Sequence, residues 1–370
     1  VIEHHTEYIA DYCKHVLLLK DGRVRWMLPT DDALQRVEEL QSCNIFPPQV
    51  TIAAHRLRQA GELQADRLPT PVEEGRAAFA ARPGVRTCTV LPQPPAGEPV
   101  VQFRDVTVRY RSVKGAPRTV FSGLDLTVRR GDKIALIGSN GAGKSTLMKL
   151  MVGLLKPAGG DVLLNGKSLH DGGPEGLGRQ VSMVYQNPED MFIQDSIQAD
   201  IAYAMEARGL PDARSRTDAL LERFRLTALR DRDGRLLSGG QMRRASLAIG
   251  IALDPGVLLL DEPTANLDIA TRKEIMRTLD DMKQITETVV IATHDMQLVC
   301  EWAERIVVLC GGRVVADGSR DRIFGSQALL DLVGIRPPEI FAMARALDPA
   351  VCCYTIDDFL SQFTGKGPQA

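Results

Sequence analysis

The chain has 370 residues, 44% of them hydrophobic and 25% charged, and its formal net charge is -2. These values describe a globular protein with room for more than one domain, and the near-neutral charge argues against a nucleic-acid binder that depends on bulk positive charge. No apolar run reaches the ~18 residues of a membrane-spanning helix and no signal peptide is evident, so we expect a cytosolic chain that reaches a membrane only through partners.

The N-terminal segment repeats the C-terminal part of the chain. At a constant offset of 290 residues the matches are His4 with His294, Leu19–Val24 with Leu309–Val314, and Ile45–Val50 with Ile335–Ile340. A weaker match, with Val72–Glu74 aligned to Ile356–Asp358, follows at an offset of 284. We interpret residues 1–57 as the end of a first unit whose second copy is present in full. Because a strand at Val16–Leu19 would lack neighbours, we expect this remnant to be poorly ordered or to pack opportunistically.

Residues 58–99 are interpreted as the tail of the remnant and a linker, which is rich in proline at Leu91–Pro99. Beyond it, alternating apolar residues predict a strand from Val100 to Tyr110. Apolar runs predict a second strand at Leu124–Val128 and a buried one at Lys133–Ile137.

A glycine-rich motif follows the buried strand. It has the GxxxxGK[ST] pattern of a phosphate loop and reads Gly138, Ser139, Asn140, Gly141, Ala142, Gly143, Lys144, Ser145, Thr146. The glycines allow backbone N–H groups to face a phosphate, and a helix predicted at Thr146–Leu154 adds its positive end. We expect Lys144 to bridge the β- and γ-phosphates of ATP and Ser145 to hold Mg²⁺.

A second glycine motif opens a helix that we expect to end near Leu253. It comprises Leu237, Ser238, Gly239, Gly240 and Gln241. Ser238 is a typical N-cap, and the glycines leave the helix start open to an anion. Because the phosphate loop already serves one nucleotide, this helix end is predicted to act on a second nucleotide across a dimer.

An acidic pair, Asp261 and Glu262, follows the apolar run Val257–Leu260. The carboxyl ends of buried strands are where α/β sheets bind ligands. We therefore expect Asp261 to hold Mg²⁺ and Glu262 to polarise the attacking water.

Together these three motifs resemble those of the ATP-binding-cassette (ABC) ATPases, over residues 100 to about 319. The resemblance implies an α/β phosphate-loop fold with a mixed sheet core, an antiparallel β subdomain and a helical subdomain that carries Leu237–Gln241. It also implies roles for four further residues: adenine stacking by Tyr110, γ-phosphate sensing and Mg²⁺ binding by Gln186, communication between monomers by Asp268, and a catalytic switch at His294.

The flanking segments resemble the energy-coupling factor importers. They are Gln186–Asp190, Asp195–Tyr203, and the tail Gly334–Ile340 with a short helix at Ile356–Phe359. The resemblance makes residues 100–333 a complete cassette, residues 334–370 a C-terminal extension, and the whole chain the later part of a tandem of two cassettes. It implies ATP and Mg²⁺ as cofactors and import of a vitamin, a vitamin precursor or a transition-metal ion.

The expected partners are a second cassette, a transmembrane coupling subunit and a small substrate-binding membrane subunit, which would hold the chain at the cytoplasmic face of the membrane. No nucleic acid is expected.

Two alternatives remain open at this point. One is a tandem ABC ATPase that acts on ribosomes, which would need a long charged helical linker. Residues 58–99 instead contain Pro69, Pro71, Pro83, Pro92, Pro94 and Pro95. The other is a truncated product that binds ATP without driving transport.

Overall fold

The computed structural model describes residues 6–80, 97–110, 118–169, 180–265, 267, 269–282 and 285–364. They form two compact units. One, called here the helical unit, contains the described residues up to 92 and from 336 onward; the larger unit contains nearly all of those between 93 and 335.

The first described segment forms a β-hairpin among short helices. Its elements are α1 (Thr6–Tyr12), β1 (His15–Lys20), β2 (Arg23–Pro29), α2 (Thr30–Leu34), α3 (Val37–Ser42), α4 (Gln49–Gln59) and α5 (Val72–Phe79). Leu18 of the hairpin packs with Leu34 and Leu40 in a small core.

Two sheets form the framework of the larger unit. Their strands are β3 (Pro99–Tyr110), β4 (Arg118–Arg129), β5 (Lys133–Gly138), β6 (Gly159–Leu164), β7 (Lys167–Ser168), β8 (Val181–Val184), β9 (Val257–Asp261), β10 (Thr288–Ala292), β11 (Arg305–Cys310) and β12 (Arg313–Gly318). The first sheet, in the order β4-β3-β6-β7, is antiparallel. The second, in the order β12-β11-β5-β10-β9-β8, is parallel except for β12. The strands predicted around residues 100–110, 124–128, 133–137 and 257–260 are confirmed.

The direction of the strands decides where the site lies. Five neighbouring strands of the second sheet run parallel, so their carboxyl ends meet at one edge. Every residue of β9 and of β10 is buried, which matches the apolar runs that make up four of the five residues of each strand.

The helices of the larger unit are α6 (Lys144–Met151), α7 (Ile197–Glu206), α8 (Ala213–Arg223), α9 (Gly239–Ile251), α10 (Ile269–Met282), α11 (Met296–Trp302), α12 (Arg320–Phe324) and α13 (Gln327–Val333). The predicted helix at 146–154 was wrong at both ends. It begins earlier because Gly143, at a φ of 107°, turns the chain directly into the helix, and it ends before Gly153, whose φ is 70°.

Two further helices, α14 (Glu339–Leu347) and α15 (Ile356–Thr364), follow the larger unit. The second is longer than the predicted helix at 356–359, and Phe359 is buried within it.

The sequence repeat is also a structural repeat. The strands β1 and β11 correspond at the offset of 290, and so do α2 and α12. The two hairpins share the same irregularity in register, between Leu18 and Leu19 in one and between Val308 and Leu309 in the other. The repeat therefore preserves backbone detail as well as residue type.

The two hairpins differ in their neighbours. The strand β11 pairs with β5, and its Val307 and Leu309 are 0% exposed. Within the described residues β1 pairs with β2 alone, and the equivalent Leu17 and Leu19 are 48% and 63% exposed. An apolar strand face that one copy buries is thus open in the other.

The helical unit joins the two ends of the repeat. Its core combines Val50 and Phe79 with Ile340, Met343 and Phe359. The N-terminal segment was expected to be poorly ordered or to pack opportunistically, and over residues 6–80 it packs, because α14 and α15 cover the apolar faces of α4 and α5. Within the segments predicted as separate parts, 1–57 and 334–370, the described residues 6–57 and 336–364 fall in one unit.

The contact between α4 and α14 is reciprocal. Oε1 of Gln49 accepts the N–H of Ile340 at 2.9 Å, and Oε2 of Glu339 accepts the N–H of Val50 at 3.1 Å. Gln49 corresponds to Glu339 in the repeat, and Val50 to Ile340, so each copy caps the other's helix start.

Candidate functional site

The phosphate loop predicted at residues 138–146 connects β5 to α6. A Cβ atom on Gly143 would lie 2.6 Å from two ring carbons of Phe121, and one on Gly138 would collide with the carbonyl of Leu309. Both positions therefore require glycine. The middle of the loop, residues 139–141, is exposed, so an anion could approach its backbone.

Lys144 is the first residue of α6 and is buried. Its Nζ donates to the carbonyl of Gly138 at 2.7 Å and to that of Ser139 at 3.4 Å. These bonds hold the ammonium group inside the curve of the loop, where it would meet the phosphates of a nucleotide.

The next residue of the loop connects it to the adjacent acidic motif. The Ser145 hydroxyl hydrogen-bonds the carboxylate of Asp261, which ends β9. Burial raises the pKa of Asp261, and the hydroxyl of Ser145 and the charge of Lys144 partly offset that effect. A hydroxyl beside a carboxylate is an oxygen donor set that suits Mg²⁺, whose charge would favour the ionised carboxylate.

Glu262 has a strained backbone and an ordered side chain. It lies in the left-handed region with a φ of 48°, and its N–H donates to the carbonyl of Ala292 at 2.8 Å. Its carboxylate accepts from Nδ1 of His294 at 2.9 Å and from the His294 N–H at 3.3 Å. Two residues with separate predicted roles are therefore direct partners.

The pairing alters the acid–base character of the imidazole. The hydrogen bond to Glu262 raises the pKa of His294 above its ordinary value, although partial burial opposes the effect. The imidazole is largely exposed, so it remains accessible to a ligand.

Asp295 anchors the loop that carries His294. Its carboxylate accepts from both Nε and Nη2 of Arg272 at 2.7 Å and from the hydroxyl of Thr264 at 3.0 Å. It also caps α11 by accepting from the N–H groups of Gln297 and Leu298. The network ties together the segments that follow β9 and β10 and the helix α10.

Tyr110 ends β3 and lies beside the phosphate loop. Its hydroxyl is 3.3 Å from the Thr146 hydroxyl, and 39% of the residue is exposed. An exposed ring in this position could stack against a flat ligand.

The second glycine motif begins a helix, as predicted. Ser238 is the N-cap of α9, and Oε1 of Gln241 accepts the Ser238 N–H at 3.1 Å. Added atoms at Gly239 would meet no neighbour within 4 Å, whereas a Cβ on Gly240 would lie 2.5 Å from Cγ2 of Thr271. The helix start is open at Gly239 and packed tightly against α10 at Gly240.

Gln186 follows β8, and its side chain is exposed. Its carbonyl accepts from Nη2 of Arg243 on α9 at 2.7 Å, and the carbonyl of Tyr185 accepts from Nη1 at 3.0 Å. The sequence motifs gave no reason to select Arg243. Asp268, predicted to communicate between monomers, lies outside the described residues.

The structure thus gathers the predicted residues of four strand ends at one edge of the parallel sheet. The phosphate loop follows β5, the acidic pair β9, His294 β10 and Gln186 β8. Among the described residues, no helix has both the length and the apolar character to cross a membrane.

Comparison with known proteins agrees with this geometry. A family model described as ABC transporter matches residues 121–265. The energy-coupling factor transporter ATP-binding protein EcfA of Methanothermobacter thermautotrophicus is 33% identical over 243 residues, which covers 65% of this chain and 77% of the relative.

Similarity in structure gives the same result. CbiO1 of Clostridium perfringens, described as part of the ABC transporter complex CbiONQ, is 30% identical with a TM-score of 0.54, over 66% of this chain and 97% of that chain. The predicted α/β fold is confirmed.

An ABC transporter ATP-binding protein of Methanosarcina acetivorans is 32% identical over 366 residues. The match takes in 91% of this chain but only 57% of the relative. The chain therefore spans little more than half the length of this relative.

Proposed function

The chain belongs to the family of ABC transporter ATP-binding proteins, and on that premise we propose that it binds and hydrolyses Mg²⁺-ATP to power an importer of the energy-coupling factor type. The observation that carries the proposal is the position of Lys144, Ser145, Asp261, Glu262 and His294 at one edge of the parallel sheet, with the hydrogen bonds that join them.

In the proposed reaction the residues of the loop bind and orient ATP. Backbone N–H groups of residues 138–146 and the Lys144 ammonium hold the β- and γ-phosphates, and Tyr110 stacks on adenine. Ser145, Asp261 and Gln186 would hold Mg²⁺, which neutralises charge that develops on the phosphates. Glu262 orients the attacking water and accepts its proton, and His294 contacts the γ-phosphate.

The pairing of Glu262 with His294 suggests how ATP would free the Glu262 carboxylate to act on water. The imidazole carries a raised pKa and lies in front of the carboxylate. A γ-phosphate would compete for the imidazole N–H and leave the carboxylate to accept from water.

A second cassette completes each site in this proposal. The phosphate loop already binds one nucleotide in this proposal. The helix start at residues 238–241 is a second anion-binding element, which is not needed for that nucleotide. It would contact ATP held by the partner cassette, while Asp268 communicates between the two. ATP would close such a pair and hydrolysis would open it.

Membrane partners are inferred from the relatives. The names EcfA and CbiONQ describe transporter components, so we assign the chain to the cytoplasmic face of a membrane, held there by a coupling subunit and a substrate-binding subunit. The cargo class is a vitamin, a vitamin precursor or a transition-metal ion.

A tandem arrangement of two cassettes is part of the proposal. It is supported by the repeat at an offset of 290 and by the open face of β1 at Leu17 and Leu19. A phosphate-loop strand of a first cassette would cover that face as β5 covers β11. We expect a second phosphate loop to be encoded ahead of residue 1. A gene whose coding sequence starts at residue 1 would contradict the tandem arrangement.

The proposed chemistry is tested by two substitutions. Lys144→Ala should weaken ATP binding about 10- to 100-fold, because a charge-assisted bond to phosphate is lost. Glu262→Gln should lower kcat by about 10²-fold or more while ATP still binds. Calorimetric titration and phosphate release measure these effects, with the exposed Lys149→Ala on the same helix as the matched control. Unchanged affinity in Lys144→Ala, or full turnover in Glu262→Gln, would refute the assignment.

The link to transport needs a separate measurement. Hydrolysis should rise when the coupling subunit is reconstituted with the chain in a bilayer. A hydrolysis rate that is the same with and without that subunit would favour the alternative of a protein that binds ATP without driving transport.

A further inference from the structure

A buried cation links α9, the helix that starts at the second glycine motif, to the sheet. Arg243, on α9, is only 3% exposed. Burying a guanidinium group is costly unless hydrogen bonds compensate for the lost water. Nη1 and Nη2 donate to the carbonyls of Tyr185 and Gln186 at 3.0 and 2.7 Å, while the buried Nε has no acceptor among the described residues.

The charge persists despite this burial. Desolvation lowers the pKa of Arg243 to about 10, and the negative charge of Asp261 opposes the decrease. The side chain therefore stays protonated near neutral pH, and its bonds to the two carbonyls stay charge-assisted.

The two acceptors lie where a strand gives way to a loop. Tyr185 and Gln186 follow directly after β8, in the sheet that carries the phosphate loop. Because the acceptors are backbone atoms, the bonds set the direction of the peptide units on either side of the Gln186 Cα. The exposed Gln186 side chain then projects from a fixed base.

The donor lies on the helix that begins at Ser238. Arg243 is one turn into α9, whose first residue is the open Gly239. A rigid helix moves as one body over so short a distance. A shift of the Ser238 end must therefore displace the Gln186 backbone or break the two bonds to Arg243.

We propose that Arg243 is a positioning residue that couples the helix start at Ser238 to Gln186, so that contacts with two different nucleotides change together. The inference rests on the proposed function, in which Ser238 contacts the ATP bound by the partner cassette. Gln186 contacts the Mg²⁺-ATP bound by its own cassette. Arg243 itself contacts neither nucleotide.

Two nearby arginines provide comparisons. Arg244, the next residue on α9, bonds Glu274 on α10 at 2.7 Å and does not share the acceptors of Arg243. Arg216 donates to the carbonyl of Ala252 at 3.2 Å, at the far end of α9. Arg216→Gln removes an arginine–carbonyl bond to the same helix without altering the Gln186 segment, which makes it the matched control.

The test measures ATP affinity of the full chain with and without Mg²⁺, together with the thermal midpoint. The ratio of the ATP affinity with Mg²⁺ to the affinity without it should fall about tenfold in Arg243→Gln. The reason is that displacing Gln186 removes one ligand of the metal. Affinity without Mg²⁺ should stay unchanged because the phosphate loop is intact. Arg243→Lys, which keeps the charge but not the fork of donors, should give an intermediate ratio, and Arg216→Gln the wild-type ratio.

Each other outcome is decisive. A lower thermal midpoint with a wild-type ratio in Arg243→Gln would make Arg243 purely structural and overturn the inference. If that variant does not fold, a wild-type ratio in Arg243→Lys overturns it instead. A wild-type chain that shows no Mg²⁺ dependence would refute the proposed Mg²⁺-ATP site, and the inference would fall with it.

Discussion

At the scale of single residues, the pairing of Glu262 with His294 carries the most chemical information. The carboxylate belongs to a residue with a φ of 48°, a conformation that costs energy for any residue other than glycine. The strain turns the side chain toward the end of β10, where the imidazole can reach it. The carboxylate that we propose as the general base is thus held in place by the fold itself.

The same contact predicts a measurable change in titration. In Glu262→Gln the His294 imidazole loses its charged acceptor, so its pKa should fall toward the ordinary value. NMR titration of the imidazole carbon-bound protons measures this shift, and the distant, exposed Glu287→Gln is the control. An unchanged titration curve for His294 would show that Glu262 is not its partner in solution.

The raised pKa also fixes the direction of the pH effect on stability. A folded-state pKa above the unfolded value means that the pair stabilises the fold fully below the unfolded pKa of histidine, about 6.5. That contribution disappears as the pH rises through the folded pKa. It is small because His294 is largely exposed and solvent screens the pair.

The sequence predicted residues that lie in contiguous motifs and missed those that act across the fold. The phosphate loop and the acidic pair are each a local pattern with a local function. Arg243 is two residues beyond a motif, and its acceptors are backbone carbonyls 57 and 58 residues away in the chain. Any residue type supplies a carbonyl, so no sequence pattern announces that contact.

At the scale of elements, α5 illustrates how closely the two copies of the repeat pack. A Cβ atom on Gly75 would lie 2.6 Å from Cγ1 of Val50 and 2.7 Å from Sδ of Met343. The absent side chain lets α5 approach α4 and α14 at once. Glycine is here a packing requirement, since its φ needs no special freedom.

Gly75→Ala should therefore destabilise the helical unit by about 1–3 kcal/mol, as overpacking of a filled core does. Chemical denaturation followed by the fluorescence of Trp26, which packs in the small core of that unit, reports the change. Arg76→Ala, at the exposed neighbouring position, should leave the midpoint nearly unaltered. A stability gain in Gly75→Ala from helix propensity alone would contradict the packing described.

Strands were more predictable than helix ends. Apolar runs located β5 and β9 because a buried parallel strand needs apolar side chains on both faces. The start of α6 depends on the left-handed φ of Gly143, which a sequence pattern does not reveal. The length of α15 depends on Phe359, which is buried against residues from the other end of the chain.

At the scale of the whole molecule, the division into two units predicts how nucleotide affects unfolding. The residues assigned to ATP, as far as the structure describes them, lie in the larger unit. A ligand stabilises only the folded unit that binds it, by about 2.7 kcal/mol at a concentration of 100 times Kd.

Mg²⁺-ATP should thus raise the midpoint of the larger unit's transition in differential scanning calorimetry and leave that of the helical unit in place. Gly75→Ala should lower the midpoint of the helical unit's transition and leave that of the larger unit in place. A single transition that ATP and Gly75→Ala shift together would show that the units unfold as one.

The repeat was visible in the sequence, but the pairing of its copies was not. Matching residues such as Val50 and Ile340 share an environment in the two copies. Equivalence by itself does not make two residues touch. The reciprocal caps between α4 and α14 depend on how the two helices pack, which the sequence alone does not indicate.

The reciprocal packing of the helical unit also affects the order in which parts of the chain can fold during synthesis. The start of α14 lies 260 residues after the end of α5, from Phe79 to Glu339. At a translation rate of about 5–20 residues per second, α4 and α5 leave the ribosome roughly 13–50 s before their partner helices exist. Throughout that interval the nascent chain displays uncovered apolar helix faces, while the larger unit between them can already fold. The core that α4 and α5 begin is therefore completed only after the larger unit has been synthesised.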